Sequence, residues 1–219
     1  MKLKKLLSLG LAVSMFAAGP ISANALDTIY TIQGKDKYET AALIADEQNY
    51  TTAILINADS TMADGLSASG LAGATNAPIF LTKKNNIPNA TLKRVEKAKK
   101  VYIIGGESSI DKATETLLKD KGIEAKRLQG SDRIKTSYNV AKEINSINKV
   151  NKVILTNAFK GEPDAMSAAP VAVRDKAAIV LTDGKSVPFN TTGVESYVIG
   201  GTSSMSDKLV NDTNSTRLG

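Results

Sequence analysis

One stretch of about a hundred residues written twice is the strongest constraint on what this chain can fold into. Gln33-Gly34-Lys35-Asp36-Lys37-Tyr38-Glu39-Thr40 returns as Gln129-Gly130-Ser131-Asp132-Arg133-Ile134-Lys135-Thr136. Ile54-Leu55-Ile56-Asn57-Ala58 returns as Ile154-Leu155-Thr156-Asn157-Ala158, and Asp64-Gly65-Leu66-Ser67-Ala68 as Asp164-Ala165-Met166-Ser167-Ala168. Ala77-Pro78-Ile79-Phe80-Leu81-Thr82 is matched by Ala177-Ala178-Ile179-Val180-Leu181-Thr182, and Tyr102-Ile103-Ile104-Gly105-Gly106 by Tyr197-Val198-Ile199-Gly200-Gly201. Five blocks in one order mean two copies of a single module, over 26–125 and 126–216. The last residues, Arg217-Leu218-Gly219, echo Arg127-Leu128 and so suggest the start of a truncated third copy.

Within a copy, short apolar runs alternate with helical stretches. Ile54–Ile56, Ile79–Leu81 and Val101–Ile104 are apolar throughout rather than at every second residue, as parallel strands covered on both faces read. Helices are expected over Lys37–Glu47, Asp64–Ala74, Asn89–Lys99 and Ile110–Lys121, the last with a stripe of Ile110, Ala113, Leu117 and Leu118. This alternation predicts tandem Rossmann-like three-layer α/β sandwich modules with mainly parallel sheets. The second copy is shorter between Thr182 and Tyr197, and Gly184 and Pro188 argue that a helix is trimmed there.

The amino terminus reads as a secretory signal peptide, residues 1–25. Lys2, Lys4 and Lys5 precede the apolar run Leu6–Ala18, Gly19-Pro20 breaks it, and Ala23-Asn24-Ala25 suits cleavage after Ala25. No later stretch is apolar enough to span a bilayer, so no membrane association is expected once the signal is removed. The chain has 28 basic and 22 acidic residues, and cleavage would halve that excess. The remainder is too weak a charge, and too scattered, for nucleic acid, though it favours a polyanion modestly. There is no cysteine and no histidine. A fold without disulfides must rest on its core, and without His the Ser-His-Asp and Cys-His systems and the usual zinc ligands are excluded.

The blocks around Gly34–Thr40, Asp64–Ala68, Ala77–Thr82 and Gly105-Gly106, with their second copies, resemble the type 2 cell-wall-binding repeat over nearly all of the chain after residue 25. Two departures stand out: Lys37 replaces the family's arginine in the first copy and Ile134 its tyrosine in the second. The resemblance implies three copies around a pseudo-threefold axis, and non-covalent anchoring of a Gram-positive surface protein, S-layer proteins of clostridia included, to an anionic secondary cell-wall polymer. It also implies a role in attachment for the motif at Ile79, Phe80 and Leu81 and at Ile179, Val180 and Leu181. No cofactor or metal is implied.

Each candidate also has an ordinary structural reading. The two Ile-x-Leu runs read by residue type as core strands, which would shape binding loops rather than grip sugar. Asp64 and Asp164 read as helix N-caps. Asn57, Asp59, Asn157 and Asp164 would also gather at strand ends, where ligands of parallel sheets bind. Gly105-Gly106 and Gly200-Gly201 suit a tight strand-to-helix turn capped by serine, or a backbone cradle for phosphate. Lys35, Lys37 and Arg133 read ordinarily as solvated charges, yet they are the best candidates for contacting a polyanion, because basic character recurs there. Anchoring to the cell wall without catalysis is thus the leading expectation, with self-association or a third repeat completing the assembly. The alternative is a two-lobed solute-binding protein or a carboxylate- or metal-dependent hydrolase working at the strand ends.

Overall fold

The computed structural model describes residues 31–59 and 63–219; the expected signal peptide lies outside them. The first module runs α1 (Lys37–Ala45), β1 (Thr52–Asn57), α2 (Ala63–Leu66), α3 (Ala68–Thr75), β2 (Ile79–Thr82), α4 (Asn89–Val95), β3 (Lys100–Ile104), α5 (Lys112–Asp120) and β4 (Glu124–Leu128). The second runs α6 (Arg133–Ile147), β5 (Lys152–Asn157), α7 (Glu162–Asp175), β6 (Ala178–Thr182), β7 (Glu195–Ile199), α8 (Asp207–Asp212) and β8 (Thr216–Leu218). Each module holds a four-stranded sheet, in the orders β2-β1-β3-β4 and β6-β5-β7-β8. All six strand pairings are parallel. Of the described residues, none between β6 and β7 is helical, as the short spacing and Pro188 lead one to expect.

Two strands escape the sequence reading. β4 and β8 are polar edge strands, Glu-Ala-Lys-Arg-Leu and Thr-Arg-Leu. β4 pairs with β3, and β8 with β7. The expected boundary between Ala125 and Lys126 therefore falls inside β4, while Arg217 and Leu218 complete the second sheet just as Arg127 and Leu128 complete the first. Helix ends also differ from expectation. α4 stops at Val95, and α5 starts at Lys112 with Leu117 of its proposed stripe exposed. The stretch expected as one helix over Asp64–Ala74 is broken at Ser67 into α2 and α3.

One core joins the two sheets. Ile54, Ile56, Tyr102 and Ile104 of the first pack in the same buried cluster as Val153, Leu155, Val180 and Val198 of the second. α3 and α6 lie between, contributing Ala68, Leu71 and Ala72, and Val140 and Ile144. The outer face of the first sheet (Leu55, Phe80, Ile103) is covered by α1, α4 and α5. That of the second (Ile154, Ile179, Leu181) is covered by α7, with Leu66 reaching over from the first module. Contact at the seam is backbone-close. A Cβ on Gly70 would sit 2.0 Å from the Ala177 carbonyl oxygen, and one on Gly73 2.2 Å from that of Val173. Beside it, the Tyr102 hydroxyl and the Lys126 ammonium donate to opposite oxygens of the buried Glu143 carboxylate at 2.8 and 2.5 Å. Burial opposes ionisation of Glu143, but those two donors outweigh it and hold the carboxyl below its usual range. Tyr102 is pushed up to about 12, by burial first and then by the Glu143 charge.

Gly70→Ala tests the seam. The methyl adds about 1 kcal/mol of helix propensity but must drive α3 off the Ala177 backbone. A net loss of about 1–3 kcal/mol is expected from such overpacking, seen as a lower Tm. Gly201→Ala, where an added Cβ meets nothing within 4 Å, should leave Tm within a degree or two.

Candidate functional site

Open parallel sheets offer ligands the carboxyl ends of their strands, at the point where strand order reverses. Here that point lies between β1 and β3 and between β5 and β7, and the repeated motifs converge on it. Gly34 and Gly130 each donate their N–H to a threonine hydroxyl, Thr40 or Thr136, at 3.0 Å. The chain is so close there that a Cβ on either glycine would lie 2.5 Å from that threonine's nitrogen. Asp36 and Asp132 are the N-caps of α1 and α6, each accepting the N–H three residues on at 2.8 Å. The basic residue that follows ties this helix start to the loop beyond the central strand. Lys37 Nζ donates to the Ala58 carbonyl at 2.6 Å, and an Arg133 guanidinium nitrogen to that of Ala158 at 2.9 Å. Lys37 and Arg133 are thus braces of the strand end, whereas the Lys35 side chain is exposed and makes no polar contact among the described residues.

The other side of each strand end is braced as well. Asn57 and Asn157 are buried and donate to the carbonyls of Ser109 and Ser204, at 2.5 and 2.6 Å. Each ties its own strand end to the turn beside it, and Asn57 also accepts the Asp59 N–H at 2.7 Å. In the glycine turns the carbonyls of Gly106 and Gly201 accept the N–H groups of Ser109 and Ile110, and of Ser204 and Met205. Arg127 and Arg217 hold the carbonyls of Gly105 and Gly200, at 2.9 and 2.6 Å. These bonds, with the arginines, fix each turn as a tight corner between strand and helix. The adjoining helices are capped elsewhere: Ser206 accepts the Leu209 N–H at α8, and Asp111 precedes α5. Asp164 is not a cap either. α7 begins earlier, behind Gly161, and leaves Asp164 in the first turn, where the helix dipole favours a carboxylate. Asp64 lies in α2; its side chain is outside the described residues.

The Ile-x-Leu runs form the outer strands β2 and β6. Phe80 is fully buried, as are Ile179, Val180 and Leu181, while Ile79 and Leu81 are half-buried against the shared core. In both strands the motif contributes side chains to the packing of its sheet.

The two strand ends differ where the copies differ. In the first, Asp59 closes a local network: Lys37 bridges to it at 2.8 Å and the Tyr38 hydroxyl donates to it. Lys37 and then Tyr38 hold the Asp59 carboxyl below its usual range, and Tyr38, by burial first and Asp59 second, is pushed up to about 12. In the second, Ile134 stands for Tyr38 and Phe159 for Asp59. No carboxylate stands at the position of Asp59 there; the Arg133 guanidinium lies 5.4 Å from the centre of the Phe159 ring, which is 65% exposed. Aligning the copies locates this divergence without saying what it makes. Among the described residues no three His, Cys, Asp or Glu side chains gather as a metal site needs, and no helix is long and apolar enough to cross a membrane.

Two parallel α/β modules with matching braces at their strand ends define a tandem-repeat fold. The chain belongs to the Cell wall binding domain 2 (CWB2) family, whose profile matches residues 31–115 and again 127–210. It is 31% identical over 201 residues to the N-acetylmuramoyl-L-alanine amidase LytC of Bacillus subtilis (strain 168), covering 87% of this chain and 40% of that protein. It is 33% identical over 187 residues to the amidase enhancer of the same organism, covering 84% of this chain and 26% of that one. The chain thus spans less than half the length of either relative. Among solved structures it resembles Cwp6 from Clostridium difficile, with a TM-score of 0.79 and 29% identity over 85% of this chain and 31% of that one. Cwp8 from the same organism superposes with a TM-score of 0.77 and 31% identity, over 85% and 34%. Family and relatives associate the chain with the bacterial cell wall.

The Asp59 network makes a titration prediction. Replacing the acceptor charge, in Asp59→Asn, should lower the Tyr38 midpoint from about 12, because ionising the phenol no longer opposes a neighbouring anion. Tyr102, held by Glu143, should keep its own. Tyrosine 13Cζ NMR through an alkaline titration resolves the two, and an unmoved Tyr38 would mean that burial alone sets its value.

Proposed function

We propose that the chain is exported by the signal in residues 1–25 and anchors non-covalently to an anionic secondary polymer of the cell wall, without catalysis. The observation that carries this reading is the doubled wall-binding module, each copy presenting a basic residue at the same strand end. Copies add avidity to weak contacts along a repeating polymer. Lys35 is the open cation of this set; Lys37 and Arg133 meet the polymer while bracing their loops. The runs Ile79-Phe80-Leu81 and Ile179-Val180-Leu181 act indirectly, through the sheet that carries those loops. A hydrolase or solute-binding reading has little support, since Asp59 is already tied to Lys37 and Tyr38 and its counterpart is Phe159. The chain should sediment with isolated walls of the parent bacterium and stay in solution once hydrofluoric acid has stripped the anionic polymers. Binding should weaken as salt rises, because the attraction is screened and driven by counterion release. Equal binding to bare peptidoglycan would refute the polymer.

Self-association through a repeated seam goes with this reading. In the first module the groove formed by Ile54, Leu71, Tyr102 and Leu128 is filled by α6 through Val140 and Ile144. The matching groove of the second module, lined by Ile154, Val171, Tyr197 and Leu218, is an open cleft of about 270 Å³, with Val171, Val173 and Leu218 exposed. The counterpart of α6 is α1, which exposes Ile44 (55%) where α6 buries Val140 (0%). A second copy of the chain, offering α1 to this groove, repeats the intramolecular seam head to tail. The sedimentation coefficient should therefore rise with concentration, and Ile44→Lys should abolish the rise. A concentration-independent monomer would refute this association and leave the wall reading standing.

A further inference from the structure

We propose that the strand end of the second module, and not that of the first, is a subsite for a glycosyl unit bearing an anionic group. The inference rests on, and deepens, the wall-polymer reading. Its starting point is Phe159, whose ring is 65% exposed directly beyond β5. A lone exposed ring is ordinary by itself; this one matters because it forms part of the wall of a cleft lined by cations and hydroxyls. Its pose is set from behind: Arg133, fixed to the Ala158 carbonyl, lies 5.4 Å from the ring centre. The Phe159 N–H is in turn accepted by the Asn157 side chain at 2.8 Å. The ring is therefore a rigid platform with an open face, the element that stacks on the apolar C–H face of a pyranose.

Beside it opens a cleft of about 320 Å³, lined by Phe159, Lys160 and Lys185 and by the hydroxyls of Thr202, Ser203 and Ser204. Lys160 and Lys185 are exposed, and among the described residues neither side chain forms an ion pair or hydrogen bond. Asp183 also lines the cleft, but its carboxylate is spent on the N–H groups of Lys185 and Ser186, at 2.8 Å each. Those bonds turn the loop so that Lys185 stands at the rim. Two uncommitted ammonium groups across one engaged carboxylate favour an anion, and the hydroxyls suit the polar edge of a sugar.

The first module cannot offer the same. Asp59 replaces the platform and consumes Lys37 and Tyr38, Lys83 packs 5.7 Å from the Tyr38 ring, and Glu107 stands at the position of Thr202. Its strand end keeps exposed cations, Lys35 and Lys83 among them, but it has no exposed ring to take a sugar face, and Glu107 adds a carboxylate where the second module offers a hydroxyl.

The test uses the 15N-labelled full chain titrated with glucose 6-phosphate, glucose and inorganic phosphate at equal millimolar concentrations. Glucose 6-phosphate should shift the amides of Phe159, Lys160, Lys185 and Ser203, leave those of Asp59 and Ser108 in place, and shift the former more than either fragment alone. Phe159→Ala, at an exposed position that does not threaten folding, should weaken binding at least about fivefold. The double change Lys160→Gln with Lys185→Gln should remove the advantage over glucose. Absence of shifts at Phe159 and Lys185, shifts unchanged in both variants, or equal response to inorganic phosphate would each overturn the proposal. Wall sedimentation separates this site from the broader reading. If the parent chain binds walls and Phe159→Ala binds equally well, the subsite fails and the wall function stands. If the parent chain does not bind walls, that function fails, and the titration still decides the subsite.

Discussion

The seam between the modules depends on two missing side chains. Gly70 and Gly73 let α3 lie against the carbonyls of Ala177 and Val173, and that approach brings α6 within reach of the first sheet. Only then can Val140 and Ile144 join Ile54, Tyr102 and Leu128 in one core. A four-stranded parallel sheet has two faces to cover, and neither module covers both unaided. The first borrows α6, the second borrows Leu66. The modules are distinct in sequence but share their buried interior, and the borrowed contacts make the two-module unit the stable object.

Electrostatics at the seam reinforce the same geometry. Glu143 comes from α6 and its donors from β3 and β4, so the trio forms only when the modules are docked. Because the Glu143 carboxyl is held below its usual range, its contribution is complete above the ordinary carboxylate pKa and is lost as pH falls through the lowered one. Removing one member would strand the others in a partly buried place, and that penalty exceeds the net worth of the trio itself. The second module cannot build the same trio at its own groove. Tyr197 has Glu195 as its partner, at 2.5 Å, and Thr216 replaces Lys126. Whatever docks there meets a surface of similar shape but different charge.

Most of the architecture was legible because burial on both faces leaves a plain signature. Ile54–Ile56, Ile79–Leu81 and Val101–Ile104 read as strands from composition alone, and repetition confirmed the order of elements. β4 and β8 were illegible for the complementary reason. An edge strand buries one side of a few residues, so Glu-Ala-Lys-Arg-Leu carries little pattern, and only the recurrence of Arg-Leu hinted that these residues matter. The seam glycines were equally silent. Inside a helix, Gly70 and Gly73 look like a weakness, and their use appears only when a foreign carbonyl is found against them. The one hint was their replacement by Pro170 and Val173 in the second copy, where that face is not packed the same way. At the candidate site, Lys37 and Arg133 were recognisable as a repeated basic position. That their first duty is to hold the carbonyls of Ala58 and Ala158 could not be inferred without coordinates.

Duplication explains why the second strand end was free to change. Gly34, Asp36 and Thr40 have counterparts in Gly130, Asp132 and Thr136 because both helices must start in the same way, and Asn57 and Asn157 because both turns need the same tie. Asp59 and Phe159 bear no such duty. Each sits where the backbone is already held by the Lys37 or Arg133 brace and by the asparagine, so its side chain can vary without loosening the fold. In the first copy the variable position completes an internal ion network, which rigidifies the loop and spends its charges. In the second it exposes a ring above uncommitted lysines. A scaffold braced on both sides of one position can thus hold one copy as structure and open the other to recognition.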